Sequence, residues 1–242
     1  MALNASKIKS KQNFERPEPL EPGVYPARVV QILSLGLQPQ REYKGQEKPP
    51  AYEIYVTYEF ADEFMKDKET GEELKDKPRW LSETLPLHSL DSDLAKSTKR
   101  YLALDPEQEF GGDWAKLAGT PCMVTVINNR SKKDPDIVYD NIASISTMRA
   151  KEASRMGDLV NPPKVFDIDD PDMEVFGSLP EWLQEKMKEN LEFEGSALEE
   201  ALNGSHTAKS ASGGKDTQKG EKATQRAAQE AVEADDSDGD DW

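Results

Sequence analysis

The chain of 242 residues contains one cysteine, two histidines and no long apolar run. The single Cys122 excludes a disulfide framework and a cysteine-based zinc site within the chain. No segment approaches the roughly 20 apolar residues that span a bilayer, and the polar, basic start of the sequence lacks the apolar core of a signal peptide. We therefore expect a soluble, cytoplasmic protein with no membrane partner.

Catalytic signatures are missing as well. The patterns GxxxxGK[ST], GxGxxG, HExxH and GxSxG do not occur. His88 precedes a predicted helix, where a histidine is typical of a surface or capping position, and His206 lies in a polar linker. The acidic cluster between Asp167 and Asp172 lacks the central glycine and closing glutamate of an EF-hand, so it indicates a solvated turn. These absences predict a binding protein that is not an enzyme and uses no metal or cofactor.

Charge is distributed unevenly along the chain. The formal net charge is −16, and residues 1–160 hold 23 basic and 26 acidic side chains. Residues 161–242 hold 8 basic and 21 acidic side chains. A nearly neutral front part that contains most aromatics predicts the folded domain, and the rear part predicts an acidic appendage.

The clearest strand in the sequence is AYEIYVTYEFAD, residues 51–62. Read with a period of two, Tyr52, Ile54, Val56, Tyr58 and Phe60 share one face, which predicts a strand with that face in a core. The opposite face, which we expect to meet solvent, carries an aromatic residue, Tyr55, among polar ones.

The order of the predicted elements points to a fold. Strands are expected near residues 23–36, 51–62, 78–87, 120–128 and 137–146, with a helix over 89–105 that Ser89 or Asp91 caps. This order is that of an OB-fold, a five-stranded Greek-key barrel with one helix between strands three and four. An up-and-down sandwich has the same strand content, but the single helix favours the barrel. The prediction is thus mainly β, with an appended C-terminal helix and a disordered acidic tail.

Five segments follow from these patterns. They are a flexible basic arm at 1–22, the barrel domain at 23–150, an acidic extension at 151–202, a flexible linker at 203–229 and an acidic tail at 230–242. Within the extension, the spacing of Trp182, Leu183, Met187 and Leu191 predicts an amphipathic helix over 178–191, with Ser178 as its cap.

Cations in two loops suggest what the domain binds. In OB barrels the loops between strands one and two and between strands four and five flank the ligand face. Cations along a track with interleaved aromatic residues suit sequence-independent binding of single-stranded nucleic acid. The candidate residues are Arg41, Tyr43, Lys44, Lys48, Tyr55, Arg79, Trp80, Arg130, Lys132 and Lys133. For each of them, an ordinary surface or core role is the competing interpretation.

The end of the chain gives a second signal. Residues 230–242 contain seven acidic residues, no basic residue and a terminal aromatic side chain. Such a tail fits a basic pocket on another protein, and it can also compete with phosphate for the chain's own cations. The predicted partner-binding residues are Asp235, Asp236, Asp238, Asp240, Asp241 and Trp242.

Several stretches resemble the OB-fold single-stranded DNA-binding proteins of tailed bacteriophages. They are GVYPARVVQILSLGLQPQ at 23–40, KPRWLSETL at 77–85, LAGTPCMVTVI at 117–127 and DDSDGDDW at 235–242. The resemblance implies binding of single-stranded DNA in phage replication, recombination and repair, in the host-cell cytoplasm. It also implies that the tail recruits replication proteins such as the DNA polymerase. Bacterial tails of this kind often end in Pro-Phe, from which Asp241-Trp242 departs.

Two other functions compete with this one. The overall acidity favours a protein-interaction module, such as a DNA mimic that occupies the DNA site of a host enzyme, although the loop cations speak against it. A nuclease would need a nucleophile or a metal set that the sequence does not offer. The sequence leaves open whether the protein forms a homo-oligomer.

Overall fold

The computed structural model describes residues 17–67, 69–131, 134 and 136–204. Its strands are β1 (Gly23–Gln38), β2 (Ala51–Lys66), β3 (Glu73–Pro86), β4 (Pro121–Arg130), β5 (Val138–Thr147) and β6 (Lys164–Phe166). Its α-helices are α1 (Lys96–Leu104), α2 (Ala150–Ala153), α3 (Met173–Ser178), α4 (Glu181–Lys188) and α5 (Ala197–Leu202), and a short 3-10 helix covers Trp114–Leu117. The predicted mainly β character is confirmed.

The six strands form one sheet in the order β3-β2-β1-β4-β5, with β6 beside β1. The five long strands pair antiparallel, whereas β6 runs parallel to β1. On one side β1 pairs with β2 from Ala27 to Gln38. On the other side β4 pairs with Gly23 to Arg28 of β1, and β6 pairs with Gln31 to Leu33 of β1.

Strand β1 bends where its pairing with β2 shifts, between Val29 and Gln31 and between Ser34 and Gly36. The strand continues to Gln38, two residues beyond the end near Gly36 that the sequence predicted. Gly36 has φ +74°, and a Cβ there would lie 2.8 Å from Cγ of Asn190. Both the backbone conformation and the close approach therefore require glycine.

The first core lies on one face of the sheet, under α1. The predicted buried face of β2 is confirmed, since Ile54, Val56, Tyr58 and Phe60 are at most 4% exposed. Tyr101 of α1 packs on the same core. Helix α1 starts at Lys96, later than predicted, because the segment before it forms turns, and Ala95 occupies the N-cap position without a side-chain cap.

Side chains connect the two edge strands, β3 and β5. Within the described residues, these two strands are not paired by backbone hydrogen bonds. Arg79 of β3 forms an ion pair with Asp140 of β5 at 3.0 Å. Arg100 of α1 lies 2.9 Å from Glu83 of β3 and donates to two carbonyl oxygens of β5. The sheet is thus open in its backbone pairing, and its edges are joined by guanidinium groups.

The extension after β5 packs on the outer face of β1 and β2. Its apolar side chains form a second core with Leu33 and Leu35 of β1. The members contributed by the extension are Phe166, Ile168, Phe176, Leu179, Leu183, Met187 and Leu198. None of the described helices is long and apolar enough to cross a bilayer.

The helix predicted over 178–191 is shorter and is preceded by a second one. Ser178 ends α3 instead of capping α4, because Leu179, the residue before Pro180, adopts an extended conformation. Leu183 and Met187 are buried as predicted, but Trp182 is 51% exposed and Leu191 is 55% exposed. The apolar stripe of α4 is therefore narrower than the sequence suggested.

Candidate nucleic-acid interface

The loop between β1 and β2 contains a small hairpin. The backbone groups of Tyr43 and Gln46 exchange two hydrogen bonds, each of 2.9 Å. The two residues between them, Lys44 and Gly45, have φ values of 49° and 83°. Positive φ at both central residues is the mark of a two-residue type I′ turn. The hairpin therefore holds the Tyr43 side chain in a defined position on the surface.

Two ammonium groups lie against the Tyr43 ring. Nζ of Lys44 is 4.9 Å from the ring centroid and Nζ of Lys48 is 5.0 Å from it. Both distances are within the range of a cation–π interaction. The tyrosine is 37% exposed, and Arg41 is exposed on the same loop. The structure thus brings together the four candidates that the sequence placed in this loop.

The second group of predicted cations lies elsewhere. In the pairing of β1 with β4, Gly23 is opposite Val126, so Arg130 extends beyond the start of β1. The Tyr43 hairpin follows the other end of that strand, after Gln38. The two loops therefore lie beyond opposite ends of β1. Arg130 is exposed, and the neighbouring candidates, Lys132 and Lys133, are outside the described residues.

Trp80 lies on the outer face of β3 and is 42% exposed. Its Nε1 donates a hydrogen bond of 2.9 Å to the carboxylate of Glu59, the residue opposite it on β2. Glu59 is 4% exposed and also accepts hydrogen bonds from the backbone N of Val160 and the side-chain amide of Asn161, each of 2.7 Å. These bonds fix one edge of the indole while its ring remains open to solvent.

Two predicted contact residues have structural partners instead. Arg79 donates to the backbone oxygen of Glu18 at 2.7 Å and pairs with Asp140, and its side chain is only 13% exposed. Tyr55 packs edge-on against Trp182, with ring centroids 5.5 Å apart. The alternation in β2 placed Tyr55 on the outer face, but it could not reveal that the C-terminal extension covers that face. Both side chains are thus half-buried and engaged within the fold, and their role in binding stays a prediction.

Sequence reasoning missed Trp182 as a surface residue. Trp182 packs on the ring of Tyr55, which is paired with Thr84 of β3. Trp80 is four residues before Thr84 and lies on the same face of the sheet. Four residues of strand span about 13 Å. Two half-exposed tryptophans therefore lie on one outer face of the sheet. The available signal was the i, i+4 pair Leu183 and Met187, which defines the buried stripe and leaves Trp182 beside it.

The extension presents a strongly acidic surface. Residues 157–204 contain 13 acidic and 3 basic side chains. Asp172 caps α3 by accepting from the backbone N of Glu174 at 2.8 Å, and Asp167 accepts from the backbone N of Asp169 at 3.0 Å. Within the described ranges, no group of three or more potential ligands could hold a metal ion. The carboxylates of the 167–172 cluster thus serve turns and a helix cap.

The only cysteine is not a reactive nucleophile. Cys122 is fully buried in β4, and this burial raises the pKa of its thiol to about 12. A thiolate is therefore scarcely populated at neutral pH. The predicted tail residues, from Asp235 to Trp242, lie outside the described part of the chain.

Comparisons with protein-family models, with curated proteins and with solved structures found no match.

Proposed function

We propose that the protein binds single-stranded DNA without sequence preference and catalyses no reaction. The observation that carries this proposal is the Tyr43 hairpin, in which two ammonium groups lie about 5 Å from the centroid of an exposed aromatic ring. Stacking of bases on aromatic rings and pairing of cations with phosphates are the two interactions that sequence-independent strand binding uses. A base that stacks on Tyr43 displaces one ammonium group, which is then close to the backbone of the strand.

The architecture supports an OB-fold assignment. The strand order β3-β2-β1-β4-β5, with α1 between β3 and β4, is compatible with a partly open Greek-key barrel. The side-chain bridges between β3 and β5 substitute for backbone pairing at the opening. The resemblance of several stretches to phage single-stranded DNA-binding proteins favours the same assignment. On this proposal the barrel is the binding domain and the acidic tail recruits replication proteins.

Trp80 and Trp182 provide a second place for bases. Both rings are about half exposed, and they lie on the same outer face of the sheet. Glu59 accepts a hydrogen bond from Trp80, and Tyr55 packs against Trp182.

The acidic tail, on this proposal, competes with the single-stranded DNA for the loop cations at low salt.

Fluorescence anisotropy with a labelled oligo(dT) tests the proposal. Tyr43→Ala should weaken binding by about 5- to 150-fold, since a stacked base contributes about 1–3 kcal/mol. Tyr43→Phe keeps the ring and should bind like the unchanged protein. Equal affinities of the Ala and Phe variants would contradict stacking on this residue.

The salt dependence tests the cations separately. Lys48→Ala should make the slope of log K against log salt shallower by about 0.7, the value for one phosphate contact in a single strand. The matched control is Lys99→Ala, an exposed lysine of α1 outside the proposed surface. If both variants change the slope equally, the hairpin is not the cationic contact.

A second candidate function is favoured by the acidic extension. Its 13 acidic side chains belong largely to a folded surface and not to a loose tail, as in a protein that imitates DNA. This candidate predicts no affinity for oligo(dT) and binding to a basic DNA-binding enzyme instead. A filter-binding assay with oligo(dT) decides between the two.

A further inference from the structure

A groove with acidic walls lies where the described chain begins. Its volume is about 720 Å³, and it separates the residues before β1 from the hairpin that joins β2 and β3. Carboxylates of Glu18, Glu21, Glu63 and Glu73 line it together with the rings of Tyr25 and Phe64. It is thus both acidic and partly aromatic, which suits a basic segment with apolar side chains.

Both cations and one further carboxylate of the groove have partners already. Arg79 is committed to Glu18 O and to Asp140, and Asp67 accepts hydrogen bonds from its own turn. Lys66 lies 3.7 Å from the carboxylate of Glu18. Five carboxylates therefore face two cations, and the groove has an excess of negative charge.

Two groups of the groove have raised pKa values. Burial raises the pKa of the Glu63 carboxyl, and the neighbouring Asp62 raises it further. The pKa of Tyr25 is also raised, first by burial and then by Glu63 and Glu21. An added cation in the groove would relieve this repulsion.

The segment that precedes the groove wall in the sequence carries the complementary charge. Pro17, the first described residue, is part of the groove wall, and residues 1–16 precede it directly. This segment has four basic residues and one acidic residue. Lys7, Lys9 and Lys11 alternate, so an extended backbone would place all three on one face, and Ile8 and Phe14 supply apolar side chains.

We propose that the groove is the docking site of this chain's own residues 1–16, whose lysines pair with its carboxylates. Ten residues separate Lys7 from Pro17 and span at most about 35 Å, so the lysines reach the groove. Because the segment is attached at the groove wall, its effective concentration there is of millimolar order. Docking concerns the chain alone and does not depend on the proposed binding of DNA. It removes three cations from the surface until a stronger polyanion competes for them.

Limited digestion of the full chain with trypsin measures docking. The readout is the initial rate of cleavage after Lys7, Lys9 and Lys11 at low salt, followed by mass spectrometry. The triple variant Glu18→Gln, Glu21→Gln, Glu73→Gln neutralises exposed groove carboxylates, each of which lies at least seven residues beyond Lys11 in the sequence. With each exposed pair contributing a factor of about two, cleavage should be about eightfold faster. High salt should accelerate the unchanged protein in the same way.

The matched control is Glu174→Gln, Glu181→Gln, Glu200→Gln, which removes the same charge from exposed positions of the extension. It should be cleaved at the rate of the unchanged protein. If the groove variant and this control are cleaved equally fast, or if neither differs from the unchanged protein, the proposal is wrong.

A disulfide trap tests the location directly. Lys9→Cys combined with Glu73→Cys should form an intramolecular disulfide under mild oxidation if the segment docks in the groove. The buried Cys122 should not compete for this disulfide. The pair Lys9→Cys with Glu200→Cys is the control and should form little of it. An equal yield from both pairs, or a covalent dimer in place of the monomer, would overturn docking of the segment in its own groove.

Discussion

Replacement of Arg100 by alanine should destabilise the fold strongly, because this side chain connects β3 to β5 through α1. Arg100 and Glu83 are both nearly buried, and Nε and Nη2 of the arginine lie 2.9 and 3.3 Å from the two carboxylate oxygens. Nη2 also donates to the carbonyl oxygens of Ile142 and Ala143, at 3.3 and 3.2 Å. The substitution leaves a buried carboxylate short of a partner and two β5 carbonyl groups without this donor.

Removing one partner of a buried ion pair costs about 3–5 kcal/mol. Lys96 lies 3.0 Å from Glu83 with a side chain that is 53% exposed, so it compensates in part and favours the lower value. For a domain of this size, 3 kcal/mol corresponds to a fall in Tm of about 6–12 °C.

Urea unfolding followed by tryptophan fluorescence measures the difference. Lys96→Ala is the control and should cost less than about 1 kcal/mol, as expected for an exposed pair. Replacing both partners, Arg100→Leu with Glu83→Leu, should recover part of the loss because no charge is left alone. If Arg100→Ala costs no more than Lys96→Ala, this guanidinium group does not hold the edges of the sheet together.

Three further substitutions or treatments have defined outcomes. Gly36→Ala should destabilise the chain by about 1–3 kcal/mol, since it combines a positive φ with a clash against Asn190, and urea unfolding measures it. Cys122 should not react with a thiol reagent at pH 8 until the protein unfolds, because its pKa is about 12. Burial raises the pKa of Asp169, and the charge of Asp167 raises it further. Folding therefore takes up a proton when the pH lies between the ordinary pKa of an aspartate and this raised pKa. Stability rises as the pH falls through that window. Asp169→Asn should therefore raise Tm at pH 7, and the gain should shrink on acidification.

The strands were the elements that the sequence predicted most reliably. Val56 and Tyr58 follow a strict alternation, which reflects the pleat of the strand, although residues 56–60 are buried on both faces. The sequence predicted that the second strand ends near residue 62 and that the third begins near residue 78, but it did not assign the charged residues between them to strands. They extend β2 to Lys66 and start β3 at Glu73. A hairpin with both faces in solvent has no apolar alternation to reveal it.

The contacts of the candidate site were harder to predict because they join distant parts of the chain. Lys186 reaches the carboxylate of Glu53 from 133 positions away, and Trp182 covers Tyr55. Local patterns identify the buried stripe of a helix, but they do not specify which strand face receives it. The hairpin that presents Tyr43 was likewise unpredicted, since Lys44 at positive φ is an unusual choice for such a turn.

Strand β6 determines how short this protein can be made. Ending the chain near residue 150 would strip β6 from β1 and leave the backbone groups of Gln31 to Leu33 unsatisfied on that side. It would also uncover Leu33 and Leu35, which are fully buried by the segment that follows. An unpaired strand edge next to an exposed apolar patch favours strand pairing between molecules and hence aggregation. Truncated versions should therefore retain residues up to 204, or they will precipitate during purification.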